Sequence, residues 1–137
     1  MIVNLVEFDK SNVDLIEMLK KYSKQNCRDE LDIGYVSTCL KNMYKGFSFY
    51  NDAKPVAFIC LERINNKRLY ISVICSIKNT NNLGTQLLSL VFDYTKDNNY
   101  NEIILECEDK LEIFYKKFGF FVTKRLDMNF IYMMKTI

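Results

Sequence analysis

Two short stretches of this chain carry residues whose types and spacing suit chemistry. Asn79-Thr80-Asn81-Asn82-Leu83-Gly84-Thr85 stands between a β-rich run and an amphipathic helical pattern. A tight turn in that place would aim backbone N–H groups at an anion from a helix N-terminus, an economical way to hold a pyrophosphate. The plainer alternative is an ordinary polar turn. Asn tolerates left-handed backbone better than other non-glycine residues, so Asn82 can keep a glycine-like loop shape. Further on, Leu105-Glu106-Cys107 ends a strand pattern, and Phe114-Tyr115-Lys116-Lys117-Phe118-Gly119-Phe120 follows on a short helix. Tyr115 reads there either as a general acid or as a core aromatic beside Phe114 and Phe118. Histidine is absent, which removes Ser-His and Cys-His nucleophile pairs and most catalytic zinc sets. Chemistry is left to Tyr, Cys, Asp, Glu, Lys and backbone amides, with no metal expected.

The elements that position these residues must fit one compact domain spanning residues 1–137, because 137 residues at 49% hydrophobic content suffice for a single core. A net charge of +2 from 19 basic and 17 acidic residues lacks the basic excess expected of a nucleic-acid or anionic-membrane binder. Five cysteines with no C-x-x-C read as reduced thiols in a cytoplasmic protein, with Cys75 and Cys107 as buried hydrophobes. No run approaches the roughly 20 apolar residues of a membrane span, and the first residues lack the apolar core of a signal peptide.

Along the chain, residues 1–8 alternate as an edge-like strand. Ser11 with Asp14 signals the start of a helix to about Lys24, with Val13, Ile16, Leu19 and Tyr22 on its buried stripe. A second helix is expected from Asp32 to Tyr44, buried through Ile33, Val36, Leu40 and Met43, with Gly46 as its stop. Strands at 46–50, 55–64 and 67–77 form an antiparallel meander. A helix from Gly84 to about Asn98 leads to a strand at 101–107 by a parallel crossover. A helix at 111–118 and strands at 120–126 and 129–135 complete the order βααβββαβαββ.

With the motifs in this order, nearly the whole chain resembles the GNAT N-acetyltransferases. The resemblance implies an α/β fold of a single domain, a mixed, splayed β-sheet of about seven strands flanked by about four helices. It implies acetyl-CoA as co-substrate, its pyrophosphate held by Asn79, Thr80, Asn81, Asn82, Leu83, Gly84 and Thr85. The family pattern Q/R-x-x-G-x-G/A is met only at Gly84. The resemblance places Tyr115 beside the thioester sulfur as general acid, next to Phe114, and a backbone N–H near Val73 or Ile74 as oxyanion donor. The pantetheine arm would pair with that strand where it splays from the strand between Ile103 and Cys107.

A nearer resemblance, to glucosamine 6-phosphate N-acetyltransferases, rests on the helix start Leu83-Gly84-Thr85-Gln86-Leu87-Leu88, the strand end Leu105-Glu106-Cys107 and the Phe114 to Phe120 motif. It implies that Glu106 faces the sugar amine, that Tyr70 and Ile71 stand where those enzymes carry an acidic pair on the sugar hydroxyls, and that Lys135 meets the substrate phosphate. A 2-amino sugar is less basic than a lysine ε-amine at pKa ≈ 10.4. Water or the carbonyl of Glu106 then suffices to take its proton, in a chain whose strand 69–77 carries no carboxylate. The expected function is acetylation of glucosamine 6-phosphate. The alternatives are another small amine, a protein N-terminus, or a silent binding module. The apolar segment 129–137 is expected to be a strand in a homodimer interface.

Overall fold

The computed structural model describes residues 3–27, 33–76 and 82–137. The elements are β1 (Asn4–Phe8), α1 (Val13–Asn26), α2 (Ile33–Asn42), β2 (Lys45–Asn51), β3 (Lys54–Arg63), β4 (Arg68–Ser76), α3 (Leu83–Asp97), β5 (Glu102–Glu108), a 3-10 turn at Asp109–Leu111, α4 (Glu112–Lys116), β6 (Phe121–Arg125) and β7 (Phe130–Thr136). Seven strands form one sheet in the order β1-β2-β3-β4-β5-β7-β6. Among the described strands only β4 and β5 pair in parallel, with α3 between them in sequence, as the crossover requires.

Helix α1 opens on Asn12, whose side chain accepts from the Leu15 N–H at 3.2 Å, one residue later than the Ser11 start expected from the sequence. Ser11 is held instead by Asp9, which accepts its N–H at 2.9 Å. The buried stripe is Leu15, Ile16, Leu19 and Tyr22, while Val13 stays exposed. Gly46 does not stop a helix: it lies within β2, directly across from Phe8, where a Cβ would stand 2.5 Å from the Phe8 ring.

One face of the sheet is covered by α3, whose Leu83, Leu87, Leu88 and Val91 share a core with Ile59, Leu69, Ile71, Ile103 and Tyr115. The other is covered by α1 and α2 over β3 and β4, with Leu19, Leu40 and Met43 against Phe58, Cys60 and Val73. Burial on this scale, about 25 cal/mol per Å² of apolar surface, holds the three layers together.

Three strand pairs carry one residue too many, a bulge that bends the strand and re-aims its side chains. Val56 is skipped between β2 and β3, Ser72 between β3 and β4, and Thr123 between β6 and β7. The Ser72 bulge has the largest consequence. Before it Leu69 and Ile71 face α3; after it Val73 and Cys75 face α1 and α2.

The cysteine reading needs correction. Cys27, at the end of α1, and Cys75, near the end of β4, form a disulfide with Cα atoms 5.8 Å apart, so these two are not reduced thiols. Cys39, Cys60 and Cys107 are free and buried. No helix among the described residues is long and apolar enough to cross a membrane.

Candidate active site

The site begins where the sheet divides. Strands β4 and β5 pair from Arg68↔Glu102 to Ile71↔Leu105 and no further. Beyond that point Ser72–Ser76 stays with β3, while Glu106, Cys107 and Glu108 stay with β7. The strands therefore part at Glu106, within the Ile103 to Cys107 strand where the splay was expected. The wedge between them is bordered by the β4 edge that carries Val73 and Ile74, and an unpaired edge is a ready template for an extended, amide-bearing chain.

At the far end of that edge stands the N-terminus of α3. Asn82 has φ 53 and ψ 38, the left-handed conformation expected of it, and its side chain makes no capping hydrogen bond. Intrahelical bonding starts with the Gln86 N–H on the Asn82 carbonyl at 3.0 Å. The amides of Leu83, Gly84 and Thr85 thus form the first turn, where an anion is favoured. Among the described residues, a Cβ on Gly84 would meet only Ser76 Oγ, at 3.8 Å. Asn79, Thr80 and Asn81 lie outside the described residues. Because Gly84 has room, Gly84→Val should fold with an unchanged melting temperature and yet bind acetyl-CoA at least about 10-fold more weakly, its branched side chain covering the amides. Calorimetric titration showing unaltered affinity would remove this turn from the site.

Tyr115 lies under α4 on the α3 side of the sheet. It is buried, edge-to-face with Phe114 at 5.0 Å and Phe120 at 5.6 Å. The helix ends at Lys116 and the turn after it closes on Gly119, whose φ of +91 is a conformation that favours glycine, and this fixes the direction in which the motif returns to β6.

Tyr70 and Glu106 point to the opposite face, into a cavity of about 530 Å³ that Arg68, Ile104, Tyr132 and Met134 also line. The volume suits a small ligand. Burial raises the Tyr70 pKa, with the nearby Glu106 carboxylate adding to the effect and the Tyr35 hydroxyl opposing it. Arg68 is engaged: its Nη2 lies 2.5 Å from a Glu102 carboxylate oxygen. The Tyr35 hydroxyl, from α2, lies 3.4 Å from that of Tyr70. Sequence reasoning passed over Tyr35 and Arg68, since neither stands in a motif.

Lys135 is not brought to this cavity. It shares a strand face with Ile131 and Met133, its Nζ donates to the Phe118 carbonyl at 2.7 Å, and it sits 4.9 Å from the centre of the Phe92 ring. Strand alternation puts it across the sheet from Tyr132 and Met134. A cation at a helix C-terminus and over an aromatic face is stabilising. Lys135→Ala should therefore cost about 1–2 kcal/mol of stability and leave the amine KM unchanged. A raised KM for a phosphorylated amine at wild-type stability would contradict that assignment.

The thiols are unsuited to nucleophilic work. Burial and the neighbouring Glu106 and Glu108 push the Cys107 pKa up to about 11, and burial raises those of Cys39 and Cys60. Among the described residues no group of His, Cys, Asp or Glu could hold a metal ion.

Comparison with known proteins adds the following. The family model described as "Acetyltransferase (GNAT) domain" matches residues 11–130. The fold is similar to that of Ard1 from Thermoplasma volcanium, with TM-score 0.79, 15% identity and 100% of this chain and 99% of that one covered. It is similar to the aminoglycoside 6'-N-acetyltransferase from Enterococcus faecium, with TM-score 0.76, 17% identity and coverage of 99% and 97%. It is also similar to PaiA N-acetyltransferase from Thermoplasma acidophilum, solved in complex with coenzyme A, with TM-score 0.71, 17% identity and full coverage of both chains. A comparison with curated proteins finds no sequence match.

Proposed function

Since the chain belongs to the acetyltransferase (GNAT) domain family, we propose that it transfers an acetyl group from acetyl-CoA directly to a small primary amine. The observation that carries this reading is the open β4 edge running from the Ser72 bulge to the N-terminus of α3. An amide-bearing pantetheine arm suits the edge, and a pyrophosphate suits the helix start. The coenzyme A bound to the Thermoplasma acidophilum neighbour supports the same co-substrate.

In the reaction, the amine nitrogen bonds to the thioester carbon, the carbon–sulfur bond breaks, the amine loses one proton and the departing thiolate gains one. A backbone N–H at Val73 or Ile74 would stabilise the charge that develops on the carbonyl oxygen. Tyr115 would return the proton to sulfur. Glu106 and Tyr70 would hold the amine in the cavity. The raised Cys107 pKa and the bonded Cys75 favour direct attack over an acyl-cysteine.

The acceptor singled out from the sequence, glucosamine 6-phosphate, needs a cation for its phosphate. Among the described residues that line the cavity the cation is Arg68, which would have to leave Glu102 to supply it, and Lys135 serves the other face. An amine without a phosphate meets no such demand, and the aromatic and apolar lining from Tyr70, Ile104, Tyr132 and Met134 favours it. A thiol-release assay with acetyl-CoA and matched pairs, glucosamine with its 6-phosphate and simple alkyl and aryl amines, decides the point. A kcat/KM at least about 10-fold higher for the phosphate ester than for glucosamine would restore the sugar-phosphate reading.

A homodimer belongs to the same proposal, while a cytoplasmic setting loses the support of reduced cysteines, because Cys27 and Cys75 are bonded. Strand β7 is internal to the sheet, between β5 and β6, so a dimer would use its exposed Phe130 and Tyr132 rather than its backbone. Sedimentation as a monomer at micromolar concentration would remove the dimer.

A further inference from the structure

Two of the three bulges turn a backbone carbonyl toward a helix, and in each case a tyrosine hydroxyl meets it. Tyr22 of α1 donates to the carbonyl of Val56 at 2.7 Å, and Tyr35 of α2 donates to that of Ser72 at 2.7 Å. The first bond ties α1 to β3 beside Ala57, which pairs with Ser76 at the last residue of β4, beyond Val73 and Ile74. The second lies at the first β4 residue beyond the last β4–β5 pair, immediately before Val73 and Ile74. The Ser72 carbonyl also receives the weaker donor Cys39 Sγ at 3.8 Å, and Ser72 Oγ donates back to the Cys60 carbonyl at 3.3 Å. The bulge is thus tied to α2 on one side and to β3 on the other.

We propose that Tyr35 is a positioning residue for acetyl transfer: by holding the Ser72 carbonyl it sets the orientation of the following peptide groups, and with them the N–H that receives the thioester oxygen. This rests on the acetyltransferase reading above. The physical argument is that a bulge breaks the ladder that would otherwise fix the backbone, so its orientation depends on whatever satisfies the displaced carbonyl. Oxyanion stabilisation falls off steeply with misdirection of the donor. Desolvation of its hydroxyl end, with Tyr70 and Cys39 beside it, raises the pKa of the otherwise exposed Tyr35, so its hydroxyl remains a donor across the working pH range. The same hydroxyl lies 3.4 Å from Tyr70, so acceptor wall and acyl edge meet at one side chain.

The test compares Tyr35→Phe with Tyr22→Phe in the full chain. Each removes one hydroxyl from a bulge carbonyl and keeps the ring, so both should lower the melting temperature by similar amounts. Only Tyr35→Phe should lower kcat, by about 5–30-fold as expected for one lost hydrogen bond of about 1–2 kcal/mol, with the KM for acetyl-CoA within about 2-fold. Hydrogen exchange at the amides of Val73 and Ile74 should quicken in that variant alone. Wild-type kcat in Tyr35→Phe, an equal loss in Tyr22→Phe, or a loss of kcat without faster exchange would each overturn the proposal. A wild-type protein that releases no thiol with any amine would instead overturn the acetyltransferase reading, and the exchange comparison would then decide the role of Tyr35 on its own.

Discussion

Replacing Tyr115 with Phe should lower kcat about 100-fold or more while changing the KM for either substrate by less than about 3-fold. The hydroxyl is asked to protonate a thiolate that exists only as the carbon–sulfur bond breaks, so its effect belongs to the transition state. Packing should survive, because the ring keeps its edge-to-face contacts with Phe114 and Phe120. The assay must be run where chemistry limits the rate, shown by a linear dependence of kcat on the leaving-group pKa across acyl thioesters. Wild-type turnover there would make Tyr115 a core aromatic and nothing more.

Reducing the Cys27–Cys75 disulfide should lower stability by about 2–4 kcal/mol, the range for a cross-link that closes a loop of this size. The two cysteines are 48 residues apart. At 137 residues such a loss corresponds to a fall in melting temperature on the order of 10 °C. The bond joins the end of α1 to the β4 edge, two residues past Val73, so reduction should also weaken acetyl-CoA binding. Calorimetry with and without dithiothreitol, with Cys27→Ser and Cys75→Ser as controls, gives the answer. Five alkylatable thiols in the unfolded, unreduced protein together with an unchanged melting temperature would remove the cross-link.

The order of elements was legible because each helix and strand carries its own periodicity: Leu87, Leu88 and Val91 at helical spacing are buried as expected. The Asn82 conformation was legible for the same local reason. The bulges were not. Leu69 to Cys75 is apolar at nearly every position, so the sequence does not say which residue is skipped, and that choice is made by pairing with β3. Tyr35 gained its role only through that choice. The disulfide depends on bringing α1 and β4 together, which spacing does not report. The resemblance directed Lys135 to the substrate phosphate, whereas strand parity with the buried Met133 points it toward α3. The exposed end of Glu106, by contrast, follows from its strand position, and it does meet Tyr70 in one cavity.

The most direct test of the account is thiol release from acetyl-CoA by the purified protein, followed with and without a panel of primary amines and with mass spectrometry of the products. Acetyl transfer predicts release that depends on the amine, saturates in both substrates and matches the N-acetylated amine formed mole for mole. Release that ignores the amine, or none at all with calorimetry showing no acetyl-CoA binding, would contradict it.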